Sequence, residues 1–370
     1  MNSCLVLINP NRTPHQIHKL KKILSSNHPV EIMETANREA FLKGVADFCK
    51  SPLKHLLVWG GDGTAHDAIN VLMEHSVGKE KSIGFLRGGS GNGIQDSYEV
   101  PFCLRSQIKA YLESIQKGYT VEVDLLQIEN GTRKEYGQLM GIGFDVRLLQ
   151  RRNSRKHSSN GQVKAGFWNY FLSGVLTFLT EPLRDGRIYQ LDFEEGKYAL
   201  RGTRINAETP FTRLHLASDA PMIELGTRPY YGRLFKVCPD VVCNRGFLEA
   251  YLFNFQTKWD VARDINYLWN GWHHRINRRF ARQEKPIIQR FEVKKAWITS
   301  EEPFPYHTDG ELRLCDQQSV PPPLPGMESF STQQGYTLRI EIVPKVLNFL
   351  VPGVFYRKFH PFDQEAILIP

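Results

Sequence analysis

At 370 residues the chain is long for one domain and fits two, and its 41% hydrophobic content supports real cores, which excludes a disordered, collagenous or disulfide-scaffold protein. A formal net charge of +8 admits anionic partners without selecting among nucleic acid, an acidic membrane face and a polyphosphate ligand. The 6 cysteines lie scattered, with no C-x-x-C pair, so reduced cytosolic thiols are expected rather than zinc ligands or disulfides.

The first third alternates strand and helix patterns. Leu5–Ile8 is a short apolar run ended by the turn signal Asn9-Pro10, and Ile17–Ser25 follows at helical spacing. Val30–Met33 predicts a strand and Arg38–Cys49 a helix. His55–Trp59 predicts a buried strand, followed at once by Gly60-Gly61-Asp62-Gly63-Thr64 and a helical stripe over Ala65–Met73. Ser82–Leu86 then leads into a second Gly-rich turn, Arg87–Gly93. This alternation predicts a doubly wound parallel sheet with ligands at the carboxyl ends of its strands.

After Val121 the pattern turns β-rich. Val121–Ile128, Gln138–Ile142, Tyr189–Leu191, Arg213–Leu216, Gly232–Val237, Leu248–Phe253, Phe291–Ile298 and Tyr336–Val343 are strand candidates, with Phe167–Thr180 the one convincing helix. Val320–Gly326 reads as a Pro-rich loop. The expected fold is α/β: a doubly wound, Rossmann-like domain over residues 1–123, completed by 345–370, and a mostly antiparallel, β-sandwich-like domain over 124–344. No signal peptide opens the chain, and the apolar stretch Phe167–Thr180 falls short of the ~20 residues of a membrane span, so a cytoplasmic protein is expected.

The Gly60–Thr64 turn carries the chemistry. Two glycines remove side chains that would block a phosphate, and the following helix offers free N–H groups and a positive dipole end. Asp62 would repel a phosphate unless a cation stands between them, which points to Mg²⁺. Gly88–Gly93 repeats the design after the next strand.

Asn9-Pro10, Gly60–Thr64, Gly89-Ser90-Gly91-Asn92, Gly141-Ile142-Gly143-Phe144-Asp145 and Asp309-Gly310-Glu311 resemble, in order, the motifs of the diacylglycerol kinase catalytic family, which includes soluble bacterial diacylglycerol kinases and sphingosine and ceramide kinases. The Gly60–Thr64 pattern alone is shared with NAD kinases; the ordered set is what discriminates. The resemblance implies an NAD kinase-like nucleotide domain that binds ATP and a second domain that shapes a lipid acceptor site. It implies nucleotide contacts from Asn9, Pro10, Asn11, Arg12, Thr13, Thr35, Gly60, Gly61, Asp62, Gly63, Thr64, Gly89, Ser90, Gly91 and Asn92. Mg²⁺ would be held through Asp62 and Asp124, and Asp309 and Glu311 would form the reactive centre, one of them accepting the hydroxyl proton. The chain departs from the family at Asn11-Arg12-Thr13, which lacks a glycine. Gly93 stands where an aspartate is common, and Arg245 replaces the aspartate of a structural metal site, so that second metal is not expected.

Arg151-Arg152 with Arg155-Lys156-His157, and Trp269 and Trp272 with His273-His274-Arg275 and Arg278-Arg279-Arg282, form basic clusters suited to an anionic membrane interface. Nucleic-acid binding would need a larger charge excess and a recognisable module. A homodimer stays open. The expected activity is transfer of the ATP γ-phosphate to a lipid hydroxyl, of a diacylglycerol or a sphingoid-type alcohol. An NAD kinase-type enzyme with a soluble acceptor and a non-catalytic nucleotide- or lipid-binding regulator are the alternatives.

Overall fold

The structure, a computed structural model, describes residues 4–9, 14–24, 30–77, 79–89, 91–158, 178, 180–200, 207–232, 235–319 and 335–361. Its contacts divide the chain into two units, Met1–Val123 with Lys345–Pro370, and Asp124–Pro344.

The first unit is a parallel α/β layer. Its strands are β1 Cys4–Ile8, β2 Val30–Glu34, β3 His55–Gly60 and β4 Ser82–Arg87; its helices are α1 Pro14–Leu24, α2 Arg38–Lys50, α3 Asp62–Glu74, α4 Gly93–Ser97 and α5 Leu104–Lys117. All five β1 residues are buried, as expected of a strand covered on both faces. β1 pairs in parallel with both β2 and β3, and β3 with β4. Near the C-terminus, Asn348 and Phe349 add a parallel partner beside Ser82 and Ile83 of β4. The strand order is therefore β2-β1-β3-β4 and then the C-terminal strand. The order reverses at β1, so the crevice at the carboxyl ends of β1 and β3 is the switch point where such sheets bind ligands.

The second unit is mostly antiparallel. β5 is Thr120–Asn130, β6 Arg133–Gly137, β7 Leu139–Gly143, β8 Tyr189–Leu200, β9 Ala207–Ser218, β10 Met222–Gly226, β11 Tyr230–Tyr231, β12 Phe235–Lys236 and β13 Leu248–Phe253. β14 Gln289–Val293, β15 Lys295–Ser300, β16 Phe304–Thr308, β17 Glu311–Cys315, β18 Gln318–Ser319 and β19 Gly335–Leu350 complete the strands. Antiparallel pairing runs β17-β16-β7-β10-β13-β14-β8, and β8 also pairs with β9 and β15. β13 is buried on both faces because its alternate residues serve two cores. Leu248, Ala250 and Leu252 enter a core shared with β7, β8, β10 and β14–β16. Tyr251 and Phe253 point the other way, into a cluster with Leu268, Ile276 and Phe280.

That second cluster is covered by helices. α6 is Phe144–Ser158, α7 Lys258–Asn270 and α8 His273–Arg282. The expectation of one convincing helix in this half is thus corrected by these three among the described residues, while Phe167–Thr180 lies outside the described residues except for Phe178 and Thr180, as does Val320–Gly326 altogether. α8 is missed because it is arginine-rich, with only Ile276 and Phe280 giving it an apolar side. α7 carried legible boundaries. Thr257 and Asp260 form a reciprocal capping box, and Gly271 closes the helix in the left-handed region at φ 70°. Thr257→Ala is expected to remove about 1 kcal/mol of stability, read as a lower urea midpoint with an unchanged slope.

The parallel N-terminal α/β layer and the antiparallel strands that follow are the architecture expected from the sequence. Several strands differ in extent from those expected. β8 and β9 run 12 residues each where only short stretches were expected, Phe291–Ile298 is broken at Lys294 into β14 and β15, and the described residues of Gly232–Val237 contribute the two-residue β12.

Candidate functional site

The switch-point crevice of the first unit holds the motif residues. β3 ends at Gly60, and Asp62, Gly63 and Thr64 form the first turn of α3 rather than a turn before it. Gly61 caps that helix without a side-chain bond, so the N–H groups of the first turn stay available to an anion. Asn9 follows β1 and reaches across the crevice: its N–H donates to the Trp59 carbonyl at 3.2 Å, and its Nδ2 donates to Thr64 Oγ1 at 2.8 Å. Thr35 is spent on the scaffold, donating its hydroxyl to the Ile8 carbonyl at 2.8 Å.

The second Gly-rich turn packs directly on the first. A Cβ on Gly89 would stand 2.5 Å from Gly61 Cα, so the two backbones approach as only glycine allows. Asn92, in the left-handed region at φ 56°, closes Gly89–Asn92 by accepting the Gly89 N–H and donating to its carbonyl, both at 2.8 Å, around Gly91. Asp62 Oδ1 accepts the Ile94 N–H at 3.0 Å, which fixes the carboxylate while its second oxygen has no protein donor among the described residues. A half-exposed carboxylate with one oxygen held and one available, beside free helix N–H groups, fits a divalent cation bridging to phosphate. Pro10, Asn11, Arg12, Thr13 and Ser90 lie outside the described residues.

In the second unit, Asp124 is fully buried. Its Oδ2 accepts the Gly246 N–H at 2.7 Å and its own N–H donates to the Cys243 carbonyl, so its carboxylate already has a structural occupation. Asp309 and Glu311 do not project together. Asp309 opens the β16–β17 turn at φ 51° and points inward, its side chain fully buried, while Glu311 is exposed. Asp309 Oδ1 accepts Arg228 Nη2 at 3.1 Å and the Leu139 N–H at 3.1 Å, and Oδ2 accepts the Gln138 N–H at 3.2 Å. Sequence reasoning had no sign of Arg228, which lies 81 residues away and is itself 2% exposed.

A further cluster went unread. Asp145 in the first turn of α6, Glu224 of β10 and His307 of β16 each offer a ligand-type atom within 4.8 Å of the others, all buried. His307 Nε2 stands 2.6 Å from Asp145 Oδ2 and 3.9 Å from Glu224 Oε1. The ring N–H misses hydrogen-bond alignment, so both carboxylates and Nε2 lack a bonded partner among the described residues. Gly141 is the residue they crowd against: a Cβ there would stand 2.5–2.7 Å from all three atoms. Asp145 closes the Gly141–Asp145 motif, which was its only signal; Glu224 and His307 carry none.

Burial disfavours charge on His307, but Asp145 and Glu224 override it and raise the imidazole to about 10. The Gly310 N–H approaches Nδ1 at a long 3.4 Å, a contact only a singly protonated ring accepts. Two carboxylates outweigh one distant amide, and the ring reads as an imidazolium that supplies the cation this cluster needs. Glu224 is raised to about 8 by burial and then by Asp145. A native pKa above the unfolded value stabilises the fold at low pH and loses that contribution as pH rises through the native pKa. For Glu224 the window runs from 4.5 to about 8. Glu224→Gln is therefore expected to flatten a decline in unfolding free energy across that window, of at most about 1.4 kcal/mol per pH unit, in urea titrations at a series of pH values. An unchanged slope in the variant would sink the assignment.

Asp145 also borders a cavity of about 370 Å³ in the second unit, within the usual range of ligand pockets. Its walls are Phe144 and Leu148 of α6, Met222, Phe253, and Ile265 and Leu268 of α7, among other apolar side chains. Lys236, His273 and the hydroxyl-bearing Tyr231 are the other polar residues lining it; burial lowers His273 to about 4, leaving a neutral imidazole at physiological pH.

Residues 3–128 match the protein family described as the diacylglycerol kinase catalytic domain. The chain is 24% identical over 220 residues to a diacylglycerol kinase of Mycobacterium tuberculosis, covering 59% of this chain and 60% of that protein. It is 24% identical over 197 residues to a Yersinia pestis protein named "Probable lipid kinase YegS-like", covering 53% of this chain and 56% of the other. The matched region thus spans less than two thirds of these relatives' length. A crystal structure of a diacylglycerol kinase from Bacillus anthracis shares the fold at a TM-score of 0.60 and 15% identity, covering 96% of this chain and 98% of that one. The resemblance read from the ordered motifs is borne out: over residues 3–128 the chain is similar to the diacylglycerol kinase catalytic family, and its fold is that of a solved diacylglycerol kinase.

Proposed function

We propose that this protein is an ATP-dependent lipid kinase that transfers the γ-phosphate to a hydroxyl of a lipid held in the second unit. The observation that carries this reading is the apolar cavity with Asp145 at its border. A small soluble acceptor such as a dinucleotide would need a polar, charge-matched site, whereas these walls suit hydrocarbon, and one carboxylate suits a hydroxyl.

In the first unit, Gly61 and Gly89 let the polyphosphate approach, the α3 N–H groups bind its oxygens, and Asn9 locks the β1 end to Thr64. Asp62 would hold Mg²⁺ through its available oxygen, and the ion would supply neutralisation of phosphate charge. In the second unit, Asp145 accepts a hydrogen bond from the acceptor hydroxyl, and its charge is kept in place by His307. Asp309 braces the start of β7 through Gln138 and Leu139. Glu311 stands on the exposed side of the same turn, away from the buried Asp309 carboxylate.

Labelled ATP and Mg²⁺ with diacylglycerol, sphingoid bases and NAD as acceptors test the reading. Label is expected in a lipid, with Asp62→Ala lowering turnover by roughly 10³-fold, as loss of a preorganised electrostatic group does. Label in NAD would move the protein to the soluble-acceptor kinases. ATP binding with transfer to none of these would make it a regulator.

A further inference from the structure

The wall of the acceptor cavity continues into exposed apolar side chains on the surface of the second unit. Ala262 and Ile265 of α7 line the cavity and are solvent-exposed as well, Ile265 at 42%. The cavity therefore opens along α7. Trp269 continues the stripe one turn beyond Ile265 at 42% exposure, and its ring lies 6.5 Å from Phe235, another lining residue. Trp259, at the start of the same helix, is 83% exposed, and Trp272, just after its end, 37%. Three exposed tryptophans around one opening cost solvation unless something covers them.

The charge beside them identifies the occupant. Lys258–Arg282 holds 6 Lys and Arg against 2 Asp. Both aspartates are already neutralised from within the unit: Asp264 pairs with Arg279, and Asp260 with Lys285 at 2.6 Å. Arg263, Arg275, Arg278 and Arg282 are exposed and pair with no carboxylate among the described residues. Arg275 stacks over Trp272 at 4.4 Å, holding a cation and an indole ring together. Indoles at headgroup depth with arginines on anionic phosphates is the pattern of an interfacial helix.

We propose that the outer face of α7 and α8 docks on an anionic bilayer, so that a lipid passes from the membrane past Ala262 and Ile265 into the cavity without crossing water. The passage of the acceptor rests on the lipid-kinase reading; the docking does not. It also gives the basic surface a partner that the electrostatics alone left open.

Co-sedimentation of the full chain with phosphatidylcholine vesicles, and with the same vesicles carrying an anionic phospholipid, tests the docking. Binding is expected to the anionic vesicles, with a blue shift in tryptophan emission. Arg275→Gln with Arg278→Gln and Arg282→Gln should weaken it roughly 100-fold, from the loss of three interfacial charges. Trp259→Ala with Trp269→Ala should weaken it on the same vesicles while leaving turnover of a dispersed short-chain acceptor unchanged. Equal binding by wild type and variants overturns the proposal. So does a shift from dimer to monomer in the tryptophan variant without loss of vesicle binding, which would assign the face to a second copy. Vesicle binding without transfer to any lipid would refute the kinase reading and leave the docking standing. Transfer to a dispersed acceptor without vesicle binding would do the reverse.

Discussion

Replacing Asp309 by alanine is expected to destabilise the second unit by about 3–5 kcal/mol, and to abolish activity through the fold rather than through loss of a base. The side chain is fully buried against Arg228, itself 2% exposed, so truncation leaves a guanidinium without its counter-charge. The Gln138 and Leu139 N–H groups lose their acceptors at the same time. Alanine also fits poorly at φ 51°, a region asparagine and aspartate tolerate better. The measurement is urea unfolding of single and double variants. Arg228→Met with Asp309→Asn removes both charges, keeps an acceptor for the two amides and keeps a residue suited to this backbone, so it is expected to regain more than half of the loss. If Asp309→Ala unfolds at the wild-type midpoint yet loses all turnover, the structural role is wrong and Asp309 is the reacting group.

The first unit was largely legible because buried parallel strands are contiguous apolar runs. Leu5–Ile8, His55–Trp59 and Ser82–Leu86 were each read within one residue of the observed ends. α5 was overlooked, its buried side sparse and partly polar, made of Gln107, Ile108, Tyr111 and Ser114. In the second unit, charge hid regular structure. β8 carries Asp192, Glu194, Glu195 and Lys197 because neighbouring strands answer them, Glu195 pairing with Lys294 and Lys197 with Glu208. Such pairs cannot be seen one segment at a time. The same limit explains the site. The Gly-rich turns announce themselves because a phosphate turn is a local device, carried by one short run such as Gly60–Thr64 or Arg87–Gly93. Arg228 with Asp309, and Asp145 with Glu224 and His307, are assembled from segments far apart in sequence. A lone buried acid or histidine carries no local mark of its partner. The Asp-Gly-Glu motif was found, but the direction in which each carboxylate points depends on Arg228.

Gly89→Ala should have the second large effect, on nucleotide use. The new Cβ would stand 2.5 Å from Gly61 Cα, a backbone atom with no rotamer to relieve the contact. The two Gly-rich turns must then separate, and both are tethered. Asn92 holds Gly89 through two 2.8 Å bonds, and Ile94 holds Asp62 through its N–H. Separation therefore shifts the α3 N–H groups and the Asp62 carboxylate relative to one another. Misplacement on the order of 1 Å can cost about 10²-fold in rate, and overpacking adds roughly 1–3 kcal/mol of instability. The expected result is turnover lower by about 10²-fold and a lost ATP-dependent rise in melting temperature. Gly118→Ala is the control: its φ is 69°, but nothing lies within 4 Å of the added Cβ. It is expected to lose about 1 kcal/mol and to keep the ATP-dependent rise. A Gly89→Ala protein that still gains the wild-type thermal shift from ATP would place the nucleotide somewhere other than the Gly61–Gly89 approach.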